Sequence, residues 1–140
     1  MSRAAELLAG PAHALSDALR RRELSVSAVV EAAADRVQAT DGQVNAFTQL
    51  TLQRAMARAA ALDARLAGGD TVAASLPLLG VPYAVKNLFD IEGITTLAGS
   101  KIERGQPVAK TDAVLLQRLD AAGAVLVGAL NMDEYAYGFT

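Results

Sequence analysis

No cysteine occurs in the chain. That excludes disulfides, thiolate nucleophiles and cysteine-held metals, and it fits a reducing compartment. Tryptophan is also absent, and the aromatics are only three tyrosines and three phenylalanines. The core must therefore be built from Ala, Leu and Val. A single histidine, His13, stands in an Ala/Pro/Gly-rich segment. Without a second histidine it makes neither a metal pair nor a convincing Ser-His-Asp triad, and it reads as a surface residue. No apolar run spans a bilayer: the longest, Ala121 to Leu130, is far too short. The first residues lack a signal-peptide layout, because Glu6 and His13 interrupt them. No excess of either charge is present. The formal net charge is −2, which signals no general attraction to nucleic acid or anionic membrane. The only basic run, Arg20-Arg21-Arg22, is flanked by Asp17 and Glu23 and reads as a solvated helix end. The reading is a cytoplasmic chain of about one domain.

Lysine is scarce too, and this makes one of the three informative. Lys86 ends the apolar stretch Gly80-Val81-Pro82-Tyr83-Ala84-Val85-Lys86. An ammonium in such a run either snorkels from a strand end or is used. Burial disfavours its charged form and makes the amine a candidate base.

The patterning around Lys86 is α/β. Val26, Val29, Val30, Ala33, Ala34 and Val37 recur at helical spacing behind a Ser25 or Ser27 cap, and a shorter helix over about 16–22 precedes them. Leu52, Ala55, Met56, Ala59, Leu62 and Leu66 predict a second long helix, capped by Thr51 and stopped by Gly68-Gly69. Between the two, residues 45–48 read as a short extended link. Residues 68–79 read as a loop, 83–86 as a strand with Pro82 at its start, and 90–105 as a second loop. Thr111 is placed to cap a helix over 112–122 with Val114, Leu115, Leu119 and Ala122 facing inward. Ala124 to Gly128 follow as a buried strand. Strand, loop, helix, strand predicts a parallel crossover pair. The domain reading is a single unit through 140, helical over about 1–68, with the start of an α/β core over about 80–140. One strand pair is too little sheet for a finished domain, so the sequence predicts that Thr140 is a truncation point.

Several motifs fail on spacing. Gly93 to Lys101 resembles a phosphate loop, but the glycines are one residue too far apart and Ser100 precedes Lys101. No Ser-x-x-Lys, GxSxG or GxGxxG occurs. Asp133-Glu134 are neighbours and, in a helix, would point about 100° apart, unlike two carboxyls facing across a glycoside. They suit a helix N-terminus, with Asn131 as cap and Glu134 completing a capping box.

Three segments in order carry more information than any one of them. These are Gly80 to Asn87, then Gly93-Ile94-Thr95-Thr96-Leu97-Ala98-Gly99-Ser100, then Gly123 to Gly128 leading into Asn131-Met132-Asp133-Glu134-Tyr135-Ala136-Tyr137-Gly138. The set resembles the amidase signature family. Asn-Met-Asp-Glu looks like its amidotransferase A subunits. The fuller run to Phe139-Thr140 looks more like its carboxybiuret and biuret hydrolase branch. The resemblance implies an α/β fold with N-terminal helices and a mixed sheet flanked by helices. It also implies a Ser–cis-Ser–Lys triad acting on an amide bond of a small molecule, with neither metal nor organic cofactor.

In that scheme Lys86 is the catalytic lysine, and Tyr137, Ala136 and Tyr135 match a substrate-lining segment. The two serines belong to a Gly/Ser-rich stretch outside these residues, so the 140-residue chain alone is expected to be inactive. A homodimer, or a complex with a small accessory subunit, is the assembly the resemblance implies. A lysine acting as a base must be neutral. Lowering its ordinary value of ~10.4 by ~3 units needs roughly 4 kcal/mol, and Val85, Leu88 and Phe89 are the residues expected to supply part of it. Two other readings stand beside the hydrolase: a glutamine-dependent amidotransferase A subunit, and a non-catalytic module that binds a partner through an open sheet edge.

Overall fold

The computed structural model describes residues 2–138. Helices α1 (Arg3–Leu8), α2 (Ala12–Arg20) and α3 (Val26–Val44) come first. Strand β1 (Phe47–Leu50), helices α4 (Leu52–Ala67) and α5 (Thr71–Ala74) and strand β2 (Pro82–Lys86) follow. A 3-10 turn at Lys101–Gly105, helix α6 (Val114–Ala121), strand β3 (Val125–Leu130) and a 3-10 turn at Glu134–Ala136 complete the order. No helix among the described residues is long and apolar enough to cross a membrane.

The two long helices form where the sequence places them. Ser25 caps α3 by accepting the Ala28 N–H. Asp63 of α4 adds a second cap, its carboxylate accepting the Val26 and Ser27 N–H groups at 2.7 and 3.0 Å. A negative charge there also meets the positive end of the helix dipole. Helix α3 runs seven residues past Val37 and stops at Asn45, whose left-handed conformation (φ 53°) asparagine tolerates better than most residues. Helix α4 starts after Thr51, but the Thr51 hydroxyl does not cap it. It donates instead to the Leu126 carbonyl at 2.9 Å and pins the helix start to β3.

The link expected over residues 45–48 gives way to a true strand over 47–50. β1 pairs antiparallel with β3, and β2 pairs parallel with β3, giving the order β1-β3-β2. The parallel crossover is as the patterning predicts, and the mixed sheet is as the resemblance implies. Both ladders slip by one residue: Tyr83 faces Leu126, but Ala84 faces Gly128, so Val127 is the extra residue of a bulge. Gly128 is required beside it, because a Cβ there would lie 2.7 Å from Phe47 Cδ1 and 2.8 Å from the Gln49 carbonyl oxygen.

Further expectations change. The 68–79 loop contains the short helix α5, capped by Asp70. Helix α6 begins at Val114 rather than at 112, and Thr111 does not cap it. Asp112 is drawn away by a bidentate pair with Arg54 and by the Glu92 N–H at 2.9 Å. Its inward residue is Leu116, fully buried, whereas Val114 and Leu115 are 62% and 45% exposed. The arginine run is not simply solvated. Arg20 donates to the Ala74 and Leu76 carbonyls, and Arg22 to that of Leu66, so two of the three tie helix ends together.

Candidate active site

Lys86 is the last residue of β2, opposite Leu130 at the end of β3. In open α/β sheets, ligand crevices lie outside the carboxyl ends of parallel strands. At this end the three sequence segments converge. The Ala98 N–H donates to the Asn87 carbonyl at 2.7 Å, and the Tyr135 N–H donates to the Ala98 carbonyl at 2.8 Å. Gly99 lets the two loops touch. Its φ is +70°, and a Cβ would sit 2.7 Å from the carbonyl oxygens of both Met132 and Asp133.

The Lys86 side chain is 50% exposed, and its Nζ lies 4.0 Å from Asp133 Oδ1. The apolar enclosure expected from its neighbours is only partly built. Val85 turns into the core with Phe89 packed against the same cluster, whereas Leu88 is exposed. Asp133 is the more enclosed partner, and its other oxygen accepts the Gly138 N–H.

The segment that follows is a single 3-10 turn, not a longer helix, and the expected capping box does not form. Asn131 Nδ2 reaches back to the Asn45 carbonyl, and its Oδ1 accepts the Met132 N–H. Glu134 is taken by the buried Ser100, whose hydroxyl donates to its carboxylate at 2.6 Å. The adjacent acids therefore part, Asp133 toward Lys86 and Glu134 toward Ser100.

Tyr135 and Ala136 hold positive φ angles of 51° and 59°. The Tyr135 hydroxyl donates to Glu103 at 2.7 Å, and that carboxylate holds the phenol above its usual range. Tyr137 is 77% exposed. With Asp133, Glu134 and Tyr135 it lines a hollow of about 370 Å³. Ala136 is exposed but does not line it. His13 lies on an exposed turn of α2, away from this cluster. Among the described residues, no group of three or more His, Asp and Glu side chains is placed to hold a metal ion.

Sequence reasoning missed Asn87, Ser100 and Thr48. Asn87 carries the same signal as Lys86, a polar residue in an apolar run. Its burial and partners become visible only once β1 is seen to be a strand.

Comparison with known proteins agrees with this geometry. The Amidase family profile matches residues 28–140. The chain is 63% identical over 112 residues to AtzE, a subunit of the 1-carboxybiuret hydrolase of Pseudomonas sp. (strain ADP), a match covering 80% of this chain and 24% of that protein. It is 48% identical over 117 residues to the glutamyl-tRNA(Gln) amidotransferase A subunit of Anaeromyxobacter sp. (strain K), covering 84% and 23%. Among solved structures, a vestigial protein complex tied to the origins of an s-triazine catabolic enzyme, in inhibitor-bound form, superposes with a TM-score of 0.89 at 55% identity, covering 94% of this chain and 28% of that one. The native peptide amidase of Stenotrophomonas maltophilia gives 0.78 at 29%, covering 88% and 25%. The chain thus spans about a quarter of the length of the relatives it matches. With the profile covering most of its residues and the family's three segments meeting at one end of the sheet, this chain belongs to the amidase signature family.

Proposed function

We propose that this chain supplies the lysine base of a hydrolase that cleaves a carbon–nitrogen amide bond in a small urea-like or carboxamide substrate, and that Lys86 is that base. The observation that carries the reading is the position of Lys86. It stands half exposed at the carboxyl end of a parallel strand, at the end of the sheet where the three family segments meet. The similarity to a 1-carboxybiuret hydrolase favours a carboxylated, urea-like amide as substrate.

In the family scheme a neutral lysine takes a proton through a bridging serine from the nucleophilic serine. The serine oxygen attacks the amide carbon, the amine or ammonia leaves, and water hydrolyses the acyl-enzyme. Donor N–H groups near the nucleophile hold the oxyanion. The resemblance assigns both serines to a Gly/Ser-rich stretch that these 140 residues do not contain. In this reading the chain alone is inactive. Tyr137, the more exposed of the two tyrosines on the hollow, is the first candidate to meet substrate, with Tyr135 beside it and Ala136 off the hollow's lining. The reading places the protein in the cytoplasm, as a homodimer or bound to a small accessory subunit.

A second reading, a glutamine-dependent amidotransferase A subunit, is favoured by the 48% identity to that protein over most of the chain. Ammonia release by the full-length gene product separates the two. Release from a small amide without partner subunits or acylated tRNA supports the hydrolase, and dependence on both supports the amidotransferase. In the same assay Lys86→Ala should lose roughly 100- to 10,000-fold in rate with its circular dichroism unchanged. Retained activity would remove Lys86 from the mechanism.

A further inference from the structure

Asn87 directly follows Lys86 and is 2% exposed. All of its principal hydrogen-bonding groups are engaged. Its side-chain Oδ1 accepts the Leu97 N–H at 2.9 Å, and its Nδ2 donates to Thr48 Oγ1 at 2.9 Å. Its backbone N–H donates to the Leu130 carbonyl at 2.9 Å, and its carbonyl accepts the Ala98 N–H at 2.7 Å. One residue joins the end of β2 to β1, to β3 and to the 97–98 turn.

The direction of each proton is fixed. A backbone N–H can only donate, so the side-chain atom facing Leu97 is the oxygen, and the amide nitrogen faces Thr48. The hydroxyl of Thr48 has one proton, which it donates to the Ala129 carbonyl at 3.2 Å. Its lone pairs are what remain for residue 87. Asparagine satisfies that demand. An aspartate would set lone pairs against lone pairs unless Thr48 turned its proton away from Ala129.

The network also determines where the Lys86 amine stands. Lys86 is half exposed, and its ion-pair partner among the described residues is the Asp133 oxygen at 4.0 Å. Its side-chain contact fixes the amine weakly, so the amine is placed by the backbone, which the β2–β3 ladder holds together with Val85 in the core and Asn87 in the network. The same residue holds Ala98, whose carbonyl holds Tyr135. The amine and the segment lining the hollow are thus referenced to one buried residue, whose own place is fixed by its side-chain bonds to Leu97 and Thr48.

We infer that Asn87, working through Thr48, is the positioning residue that sets the Lys86 amine against the 133–137 segment. The inference rests on the reading of Lys86 as the base. Its test uses the full-length gene product carrying Asn87→Ala, Asn87→Asp, Thr48→Val or Thr48→Ser. Three quantities are measured: kcat and KM for amide hydrolysis, thermal unfolding, and the pH dependence of Lys86 acetylation read by mass spectrometry, which needs no turnover.

Asn87→Ala should lower kcat on the order of 10- to 100-fold, the cost of misplacing a reacting group, with KM little changed. Thr48→Val should move in the same direction, and Thr48→Ser should restore wild-type values. The near-isosteric Asn87→Asp should change the pH profile of Lys86 acetylation, since losing the bond to Thr48 moves the amine relative to the Asp133 carboxylate that faces it. The assignment is overturned if the variants lower only the unfolding temperature while kcat and the acetylation profile stay at wild-type values. Activity surviving in Lys86→Ala would refute the base reading alone, and the acetylation profile would still decide whether Asn87 governs the amine.

Discussion

On one face of the sheet, α3 and α4 press Val29, Val30, Ala55, Ala59 and Leu62 against Val125 and Val127, all of them buried. On the other face the cover is thin. Leu116 of α6, with Ile91 and Ile94 from the loop, meets Val85, Leu126 and Ala129, while Val114, Leu115, Leu88 and Val108 remain exposed. The difference teaches that the N-terminal helices close their own side of the structure. The opposite side, into which Val85 points, is only half closed by the described residues. The chain's share of its relatives' length fits that asymmetry.

The comparison can be broken by cutting into each face and following urea unfolding of the intact protein. Leu62→Ala on the closed face should cost about 3–5 kcal/mol, because tightly packed surroundings relax little around the cavity. Leu116→Ala on the open face should cost nearer about 2–3 kcal/mol, since exposed neighbours can settle into the space. Equal losses would mean that the open face is closed in the intact protein.

The Arg54–Asp112 pair bridges α4 to the start of α6 and sharpens the same contrast. The hydrogen bond from Arg54 holds the Asp112 carboxyl below its usual range, assisted by the Glu92 N–H. A carboxyl bound less tightly to its proton in the folded state stabilises above the unfolded value, ~3.9, and loses that contribution as pH falls through its folded value. Asp112→Asn should lower stability by about 1.5 kcal/mol at neutral pH. It should also flatten the loss below about pH 4.

Tyr83 acts at the other end of the scale. Burial pushes its phenol up to about 12. The folded state then keeps a proton that an unfolded tyrosine releases near ~10. Stability from this source is intact below that value and is lost as pH rises toward about 12. Tyr83→Phe should remove that alkaline loss and change little at neutral pH.

The smallest effect belongs to Leu115. Leu115→Ala should shift stability by less than about 0.5 kcal/mol. Since the chain has no cysteine, Leu115→Cys offers a unique thiol within these residues. Rapid labelling in the intact protein would keep the face open, and protection would close it.

What can be read from the sequence follows the same division. Helices α3 and α4 are long and periodic; Val26, Val29, Val30, Ala55, Ala59, Leu62 and Leu66 of their stripes are buried, and the remaining stripe residues are half-buried. β2, β3 and their parallel pairing also follow from the apolar runs. β1 does not, because Phe47-Thr48-Gln49-Leu50 is short and mostly exposed, and only pairing with β3 makes it a strand. Local caps fail wherever a distant partner competes. Leu126 takes Thr51, Asn45 takes Asn131 and Ser100 takes Glu134. At the site, Lys86 stands out because a charge in an apolar run is conspicuous. Its half-exposed setting and the network under Asn87 depend on contacts between residues 48, 87, 97 and 130, which no local pattern encodes.

The strand order β1-β3-β2 carries a further consequence, for synthesis of the chain. β1 and β2 never touch as partners, and the strand that unites them is made last. A nascent chain paused before Val125 would hold two strands with no ladder to join, behind helices whose apolar stripes still await Val125 and Val127. Such unpaired edges invite association with other chains. Among the described strands, β3 must therefore emerge before β1 or β2 meets the partner it has in the folded sheet.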